Sequence, residues 1–340
     1  MTLRRVLTLL TLIAAATGGV LLVLTIGFAS VRAGLGKQVG AGYAGVENNL
    51  CVLDADADAG ILIGGDSRAK TQINPAVLEA KTGLRSINIA EIISLGGDIA
   101  TLVNSLRKYP RILESHPIIL VSITMMGFND QSVENTPMAT MFNWTAPEHA
   151  RIAVREPARY GKFFWTRYLP AVFREIRHIR KKDGYACDEN VYRPQSLIDS
   201  KGYRPYHGRA RYQQVPDTGG YVLYGARWRV FRESLDWLAD SQARAVVILD
   251  APIDPVWRRS RPDPRYMEMQ TSFSKEVAEE VAEETARHPK VRFLDFISEP
   301  LQVADSTHFY DALHFDSTGA DIFTAYLGDY LAREFPKGGP

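Results

Sequence analysis

The sequence has few cysteines and no excess charge of either sign. Only two of its 340 residues are Cys, and 40 Lys and Arg residues balance 39 Asp and Glu residues. Two thiols cannot build a cysteine-rich metal cluster, and a net charge of +1 gives no sign of a nucleic-acid-binding protein. Metal-binding His-x-x-x-His pairs, P-loops and dinucleotide-binding glycine motifs are also missing. We therefore expect no metal, no cofactor and no nucleic-acid partner.

The apolar residues are unevenly distributed along the chain. Val6–Val31 is a run of 26 residues without a charged side chain, and Arg4 and Arg5 precede it. Such a run is long enough to cross a hydrocarbon core of about 30 Å, and the two arginines favour a cytoplasmic N-terminus. We therefore predict a transmembrane anchor over residues 1–31 that contacts the membrane through residues 6–31.

This anchor would make the protein a single-pass protein of a bacterial inner membrane, with its remaining residues on the periplasmic side. Two alternatives stay open: a cleaved signal peptide, for which Ala29 and Ser30 are small enough, and a buried helix. Residues 32–59 resemble a stalk. In the oxidising periplasm Cys51 and Cys187 could form a disulfide, but two unpaired thiols fit the sequence equally well.

Strand and helix patterns alternate from Gly60 onwards. Short apolar runs predict five buried strands, and the segments between them have helical spacing or helix-capping residues. This alternation predicts an α/β fold with a parallel sheet covered by helices on both faces. The predicted strands are GILIGG, SINIA, PIILVSITM, ARAVVILD and KVRFLDF, and the predicted helices are INPAVLEAKTG, Asp98–Lys108, Ala226–Ala239, Gln270–Arg287 and Ser317–Arg333.

A long irregular segment, residues 131–225, interrupts this pattern and divides the predicted domain into residues 60–130 and 226–340. Residues 151–230 contain 17 Lys or Arg against 7 Asp or Glu, so the window carries +10 and the rest of the chain carries −9. The same window contains 14 aromatic residues. Basic residues among aromatics suit an anionic or sugar-like polymer, although an inserted subdomain with its own aromatic core explains them as well.

Polar side chains and glycines follow the predicted strands at the places where function gathers in a parallel sheet. The first strand ends in Gly65-Asp66-Ser67, and Gly96 and Gly97 follow the second strand just before a helix. The third strand leads to Gly127-Phe128-Asn129-Asp130, and the fifth is followed by Asp311-Ala312-Leu313-His314. Each of these short motifs is common alone, but the four together in this order are a strong signal.

These four blocks resemble those of the SGNH hydrolases, also called the GDSL esterase superfamily. The resemblance covers residues 60–130 and 226–334, about half of the chain, and leaves the segment 131–225 outside it. It implies a three-layer α/β/α, flavodoxin-like fold. Two departures are Arg68, where many secreted esterases have an apolar residue, and the long gap that leaves Gly96 as an alternative to Gly97.

The resemblance also implies roles for individual residues. Ser67 is the nucleophile, His314 its general base, and Asp311 the carboxylate that orients and stabilises the imidazolium. The Ser67 amide, the Gly97 amide and the Asn129 side chain would form the oxyanion hole. We further expect Asp66 and Arg68 to contact substrate.

Simpler explanations remain open for each of these residues. Ser67 or Asp311 could merely cap a helix, Asn129 could be a turn residue, and His308 is close enough in sequence to replace His314 as the base.

A looser similarity points to membrane-anchored SGNH proteins that help to O-acylate bacterial cell-surface polymers. It rests on ILIGGDSRAKTQINPAVL and FYDALHFDSTGADIFTAYLGDYL. It implies acyl transfer, acetyl transfer above all, to an extracytoplasmic polysaccharide, with a multi-spanning membrane acyltransferase as the partner that supplies the acyl group. The alternatives are an anchored esterase or deacetylase and a non-catalytic accessory protein of the same modification system.

Overall fold

The structure of the protein is a computed structural model. The structure describes residue 8 and the ranges 52–91, 98–128, 146–155, 157–168, 199–208, 223–260, 264–297 and 305–336. The predicted anchor and both cysteines lie outside these ranges, apart from Thr8. Within the described ranges, no helix combines the length and the apolar character needed to span a bilayer.

Five parallel strands form one sheet in the order β2-β1-β3-β4-β5. Every residue of β1, β3 and β4 is buried, as expected for strands with helices packed on both sides. All five strands were predicted from their apolar runs, and the α/β class is confirmed. The strands are β1 (Ile61–Gly65), β2 (Ser86–Asn88), β3 (Ile118–Ile123), β4 (Ala245–Asp250) and β5 (Val291–Asp295).

Nine α-helices connect or flank these strands in the described residues. The five predicted helices are present, and the longest begins six residues earlier than its apolar pattern indicated. Two of the helices next to the sheet, α1 and α7, were not predicted. The helices are α1 (Ser67–Gln72), α2 (Pro75–Thr82), α3 (Ile99–Lys108), α4 (Ala146–Arg155), α5 (Pro157–Phe163), α6 (Ala226–Asp240), α7 (Pro255–Ser260), α8 (Pro264–Arg287) and α9 (Ser317–Glu334).

Alternate residues of each central strand enter two separate hydrophobic clusters. On one face, residues such as Ile119 and Val121 of β3 pack with α3, α6 and α8. On the other face, Ile118 and Leu120 pack with α1, α2 and α9. Because side chains alternate along a strand, the central strands β1, β3 and β4 each contribute to both clusters. The sheet therefore lies between two helical layers.

The folded part begins upstream of β1. Val52 and Leu53 lie in a short helical turn and are buried in the cluster of α3, α6 and α8. The last residues of the predicted stalk 32–59 thus pack against the α/β domain. Of the segment 131–225, the structure describes α4, α5, a single π-helical turn (Phe164–Tyr168), residues 199–208 and residues 223–225.

Candidate active site

Ser67 lies at the first position of α1, directly after β1. Gly65 ends the strand with φ of +110°, and a Cβ there would lie 2.0 Å from the carbonyl oxygen of Ser122. Only glycine fits this close approach of two strands. Asp66 then caps the helix, because its Oδ1 accepts a hydrogen bond of 3.0 Å from the Arg68 amide. The local sequence Gly-Asp-Ser therefore turns the chain sharply and leaves Ser67 half-buried at the end of the strand.

Ser67, His314 and Asp311 form a continuous hydrogen-bonded triad. The Ser67 Oγ is 2.9 Å from Nε2 of His314. On the other side of the ring, Nδ1 of His314 is 2.9 Å from Oδ1 and 3.0 Å from Oδ2 of Asp311. The three side chains were predicted as catalytic residues, and the structure brings them together across 247 positions of sequence.

The loop that carries Asp311 and His314 is a tight turn held by the carboxylate itself. Oδ1 of Asp311 accepts hydrogen bonds of 2.8 Å from the amides of Leu313 and His314. Gln72, at the end of α1, donates a 2.6 Å hydrogen bond to the Leu313 carbonyl and so ties this loop to the helix of the nucleophile. A spacing of three residues is therefore sufficient for an Asp–His pair here.

These contacts also set the charge state of Asp311. Partial burial would raise its pKa, but the hydrogen bonds and charge interaction with His314, together with the amides of Leu313 and His314, lower it below the ordinary value of 3.8. Asp311 is therefore ionised at neutral pH and suited to stabilise an imidazolium. His308, the alternative base, lies in a separate 3₁₀ turn, and the Ser67 hydroxyl contacts His314.

Asp66 and Arg68, predicted to contact substrate, are buried beneath the triad. Each side chain is 3% exposed, and Arg68 binds the ends of β3 and β4 rather than solvent. Its Nη1 donates to the Ala251 carbonyl at 3.0 Å, and its Nη2 donates to the Ile123 carbonyl and, at 3.0 Å, to Oδ1 of Asp250. These contacts give Arg68 a structural role, which differs from the role expected from its position beside Ser67.

Asp250 completes this buried cluster. Its Oδ2 accepts hydrogen bonds from Gln270 at 2.7 Å and Ser274 at 2.9 Å. Burial alone would lower the pKa of Arg68, but the carboxylates of Asp66 and Asp250 outweigh it and raise that pKa. Burial raises the pKa of Asp250 to about 6, so the pair is still ionised at neutral pH.

The other predicted oxyanion-hole residues, Gly97 and Asn129, lie outside the described residues, as does Gly96. Their described neighbours, Asp98 and Phe128, both line a cavity with an empty volume of about 370 Å³. Asp98 caps α3, as predicted, through a 2.7 Å hydrogen bond from the Thr101 amide. The described residues that line it are Asp66, Asp98, Ile99, Ser122, Ile123, Thr124, Gly127, Phe128, Arg227, Val230 and Phe231.

The sequence did not indicate that an aromatic pair flanks the triad. Tyr206 stacks on Tyr310 with ring centroids 4.4 Å apart and planes 10° apart. The same Tyr206 ring lies 5.3 Å from the His314 ring and nearly perpendicular to it. Tyr206 belongs to the segment 131–225, whose many aromatic residues gave a general signal without selecting this one.

Within the described ranges, no group of three or more His, Cys, Asp or Glu side chains could hold a metal ion. The side chains that the structure brings together at this site are a serine, a histidine and a carboxylate. Neither a scan against protein-family models nor a search of curated proteins finds a match to this chain.

Proposed function

We propose that this chain is a serine-dependent acyl-transfer enzyme of the SGNH hydrolase superfamily. The observation that carries the proposal is the pair of 2.9 Å hydrogen bonds that join Ser67, His314 and Asp311. The strand order 2-1-3-4-5 is that of flavodoxin-like sheets, and it supports the three-layer fold that the family implies.

The geometry supports a two-step reaction through an acyl-serine. The Ser67 Oγ attacks the carbonyl carbon of an ester and transfers its proton to Nε2 of His314. Asp311 stabilises the imidazolium, which then gives the proton to the departing oxygen. In the second step the acceptor hydroxyl loses its proton to His314, attacks the acyl-serine and releases the Ser67 hydroxyl.

Both steps pass through an oxyanion that requires hydrogen-bond donors. The Ser67 amide is the first of α1, and amides at this position have no acceptor within their helix. It is therefore suited to bind the oxyanion. Gly97 and Asn129 are proposed as the second and third donors, from the family pattern.

The proposed acceptor is an extracytoplasmic cell-envelope polysaccharide, and the transferred group is acetyl or a similar acyl group. The run of 26 uncharged residues near the N-terminus supports an anchored protein with its active site in the periplasm. The +10 charge and 14 aromatic residues of residues 151–230 suit a polymer acceptor. A multi-spanning membrane acyltransferase is the proposed source of the acyl group.

A membrane-anchored esterase is the second candidate. The side chains of Asp311 and His314 are 25% and 15% exposed, so the triad is open to solvent and water could serve as the acceptor. The acceptor, rather than the triad, separates the two reactions. In a deletion strain, the acyl ester content of the envelope polysaccharide should fall for a transferase and rise for an esterase.

Labelling with a serine-directed fluorophosphonate tests the nucleophile. We expect the full chain to be labelled and Ser67→Ala to lose the label completely, because the Ser67 hydroxyl is hydrogen-bonded to the His314–Asp311 pair that would activate it. Ser115→Ala is the matched control, since the Ser115 hydroxyl donates to the carbonyls of Ala59 and Ile112 and should not affect labelling. Undiminished labelling of Ser67→Ala would contradict both enzyme functions.

The same variant tests the accessory hypothesis in cells. If Ser67→Ala fully restores the polymer acylation that a deletion strain has lost, the protein acts without its serine and is a non-catalytic accessory protein.

A further inference from the structure

A segment of the insertion is attached to the edge of the sheet next to the active site. Residues 199–208 lie within the segment 131–225. The Asn88 amide at the end of β2 donates a 2.8 Å hydrogen bond to the Lys201 carbonyl, and the Arg204 amide donates a 3.1 Å hydrogen bond to the Lys70 carbonyl of α1. A β-bridge then pairs Tyr206 with Asp316, the residue that caps α9.

Glycine and an ion pair hold this path in place. Gly202 has φ of +82°, and a Cβ there would lie 1.7 Å from the Asn88 carbonyl oxygen. No other residue fits so close to the strand end without a shift of the backbone. Lys201 forms an ion pair with Glu79 of α2. The segment therefore follows a defined course from β2 across α1 to the triad.

This course brings the Tyr206 ring into contact with both the Tyr310 ring and the His314 ring. Tyr206 stacks on Tyr310 at 4.4 Å and contacts His314 at 5.3 Å with planes 76° apart. Tyr310 belongs to the same tight turn as His314, because its amide donates a 2.8 Å hydrogen bond to the His314 carbonyl. The first contact is stacked and the second is edge-on, and favourable aromatic contacts of these two kinds help to hold the rings in place.

The two-step reaction changes what holds His314. In the free enzyme, Nε2 of its ring is tied to the Ser67 Oγ and Nδ1 to Asp311. Once Ser67 is acylated, its oxygen has no proton to share and the first contact is lost. The ring is then held by Asp311 and by packing, and it must still face the incoming acceptor hydroxyl.

We propose that Tyr206, contributed by the insertion, is a positioning residue that holds the His314 ring in place during the second half-reaction. This inference rests on the proposed acyl-serine mechanism. It predicts that loss of the Tyr206 ring slows deacylation of Ser67 more than acylation. Because the contact with His314 is made by the aromatic ring, phenylalanine at position 206 should hold His314 as well as tyrosine does.

Burst kinetics of the full chain with 4-nitrophenyl acetate separate the two half-reactions. The burst reports acylation of Ser67, and the following steady state reports deacylation by water. For Tyr206→Leu we expect the ratio of the deacylation to the acylation rate constant to fall about 10-fold or more, because small misplacements of a catalytic group are costly. Tyr206→Phe should keep the wild-type ratio.

Tyr203→Leu is the matched control. Tyr203 lies in the same segment and packs against the cluster of α1, α2 and α9, away from the contacts described for His314. If loosening the segment were enough, Tyr203→Leu would change the ratio as much as Tyr206→Leu does, and the proposal would be overturned. It would also be overturned if Tyr206→Leu slowed both steps equally, or if Tyr206→Phe lost as much as Tyr206→Leu.

Transfer to glycerol distinguishes positioning from direct acceptor binding. A lower kcat with unchanged KM for glycerol in Tyr206→Leu supports positioning. A raised KM with unchanged kcat would instead make Tyr206 an acceptor contact and overturn the proposal. Unchanged turnover of 4-nitrophenyl acetate by Ser67→Ala would contradict the acyl-serine mechanism itself, whereas a wild-type burst with an unaffected ratio in Tyr206→Leu would contradict this inference alone.

Discussion

Two polar clusters meet at the nucleophile loop, and they differ in exposure and in charge behaviour. The triad of Ser67, His314 and Asp311 is partly exposed to solvent, and the pKa of Asp311 is lowered. The cluster of Arg68 and Asp250 is at most 3% exposed, and its Asp250 has a raised pKa. Ser67 of the triad and Arg68 of the buried cluster are consecutive residues. Adjacency to a nucleophile therefore does not by itself indicate contact with substrate.

The difference follows from the course of the chain. Ser67 is the first residue of α1 and is half-buried, whereas the side chain of Arg68, the next residue, is buried against the ends of β3 and β4. The carbonyl oxygens of Ile123, at the end of β3, and of Ala251, directly after β4, accept hydrogen bonds from the buried Arg68 guanidinium, which pairs these polar groups in the interior. We therefore expect changes in the triad to affect catalysis and changes in the buried cluster to affect stability.

The largest effect is expected for Asp311→Asn. The asparagine oxygen can still accept from the amides of Leu313 and His314, so the turn should persist. Its NH₂ group would face Nδ1 of His314 and favour the tautomer whose Nε2 carries a proton, which cannot accept the Ser67 proton. We expect kcat for 4-nitrophenyl acetate to fall about 10⁴-fold. His308→Ala is the control, and it should keep the wild-type rate.

Stopped-flow or steady-state assays measure this loss, and urea unfolding checks the fold of the variant. If Asp311→Asn unfolded at much lower urea but retained its kcat, the triad would be a structural cluster like the one beneath it, and the contrast between the two regions would fail.

The second effect is expected for Arg68→Met. Removing the guanidinium leaves Asp250 and Asp66 buried without their cation, which should lower the free energy of unfolding by about 3–5 kcal/mol. Arg68→Lys should recover little of this stability, because one ammonium group cannot donate to all the acceptors that the planar guanidinium reaches. Lys81→Met is the exposed control: Lys81 pairs with Asp329 on the surface, and its loss should cost less than about 1 kcal/mol.

Urea denaturation of the three variants measures these values. Equal losses for Arg68→Met and Lys81→Met would show that the buried ion pair adds no more than a surface pair. A variant of Arg68 that kept full stability but lost substrate affinity would restore the role that the sequence first suggested for this residue.

The sheet and the triad could be predicted from sequence because their signals are local. Five short, mainly apolar runs marked the strands, and serine, aspartate and histidine followed the ends of the first and fifth strands. The topology of a parallel sheet places those ends along one edge. Residues far apart in the chain could thus be placed together from the sequence alone.

Helix α1 and Tyr206 could not be predicted because their signals are not local. The sequence SRAKTQ of α1 has no apolar periodicity. Its buried Lys70 binds Ala90 and Glu91, and its buried Gln72 donates to the Leu313 carbonyl. Tyr206 reaches the triad only because residues 199–208 return to the edge of β2, through hydrogen bonds that span more than a hundred residues of chain. Neither partner is visible in the local pattern.

The smallest effect is a difference in pH dependence between the two clusters. The pKa of Asp250 in the folded protein, about 6, lies above the ordinary value of 3.8. Between these values the folded state binds the proton more tightly, so wild-type stability should fall relative to Asp250→Asn as pH rises. For Asp311 the folded pKa lies below 3.8, so the sign is reversed. There, wild-type stability relative to Asp311→Asn should be complete above pH 3.8 and lost at lower pH.

Urea unfolding of the wild type and both variants between pH 3 and 7 measures these opposite trends. Each trend involves one proton, so its slope cannot exceed about 1.4 kcal/mol per pH unit. If the relative free energy of unfolding changed with pH in the same direction for Asp250→Asn and Asp311→Asn, the same effect would control both pKa values. That effect would be burial if both pKa values were raised, and ion pairing if both were lowered. Slopes of opposite sign would mean that burial raises the pKa of Asp250, whereas the contacts with His314 and the backbone amides lower the pKa of Asp311.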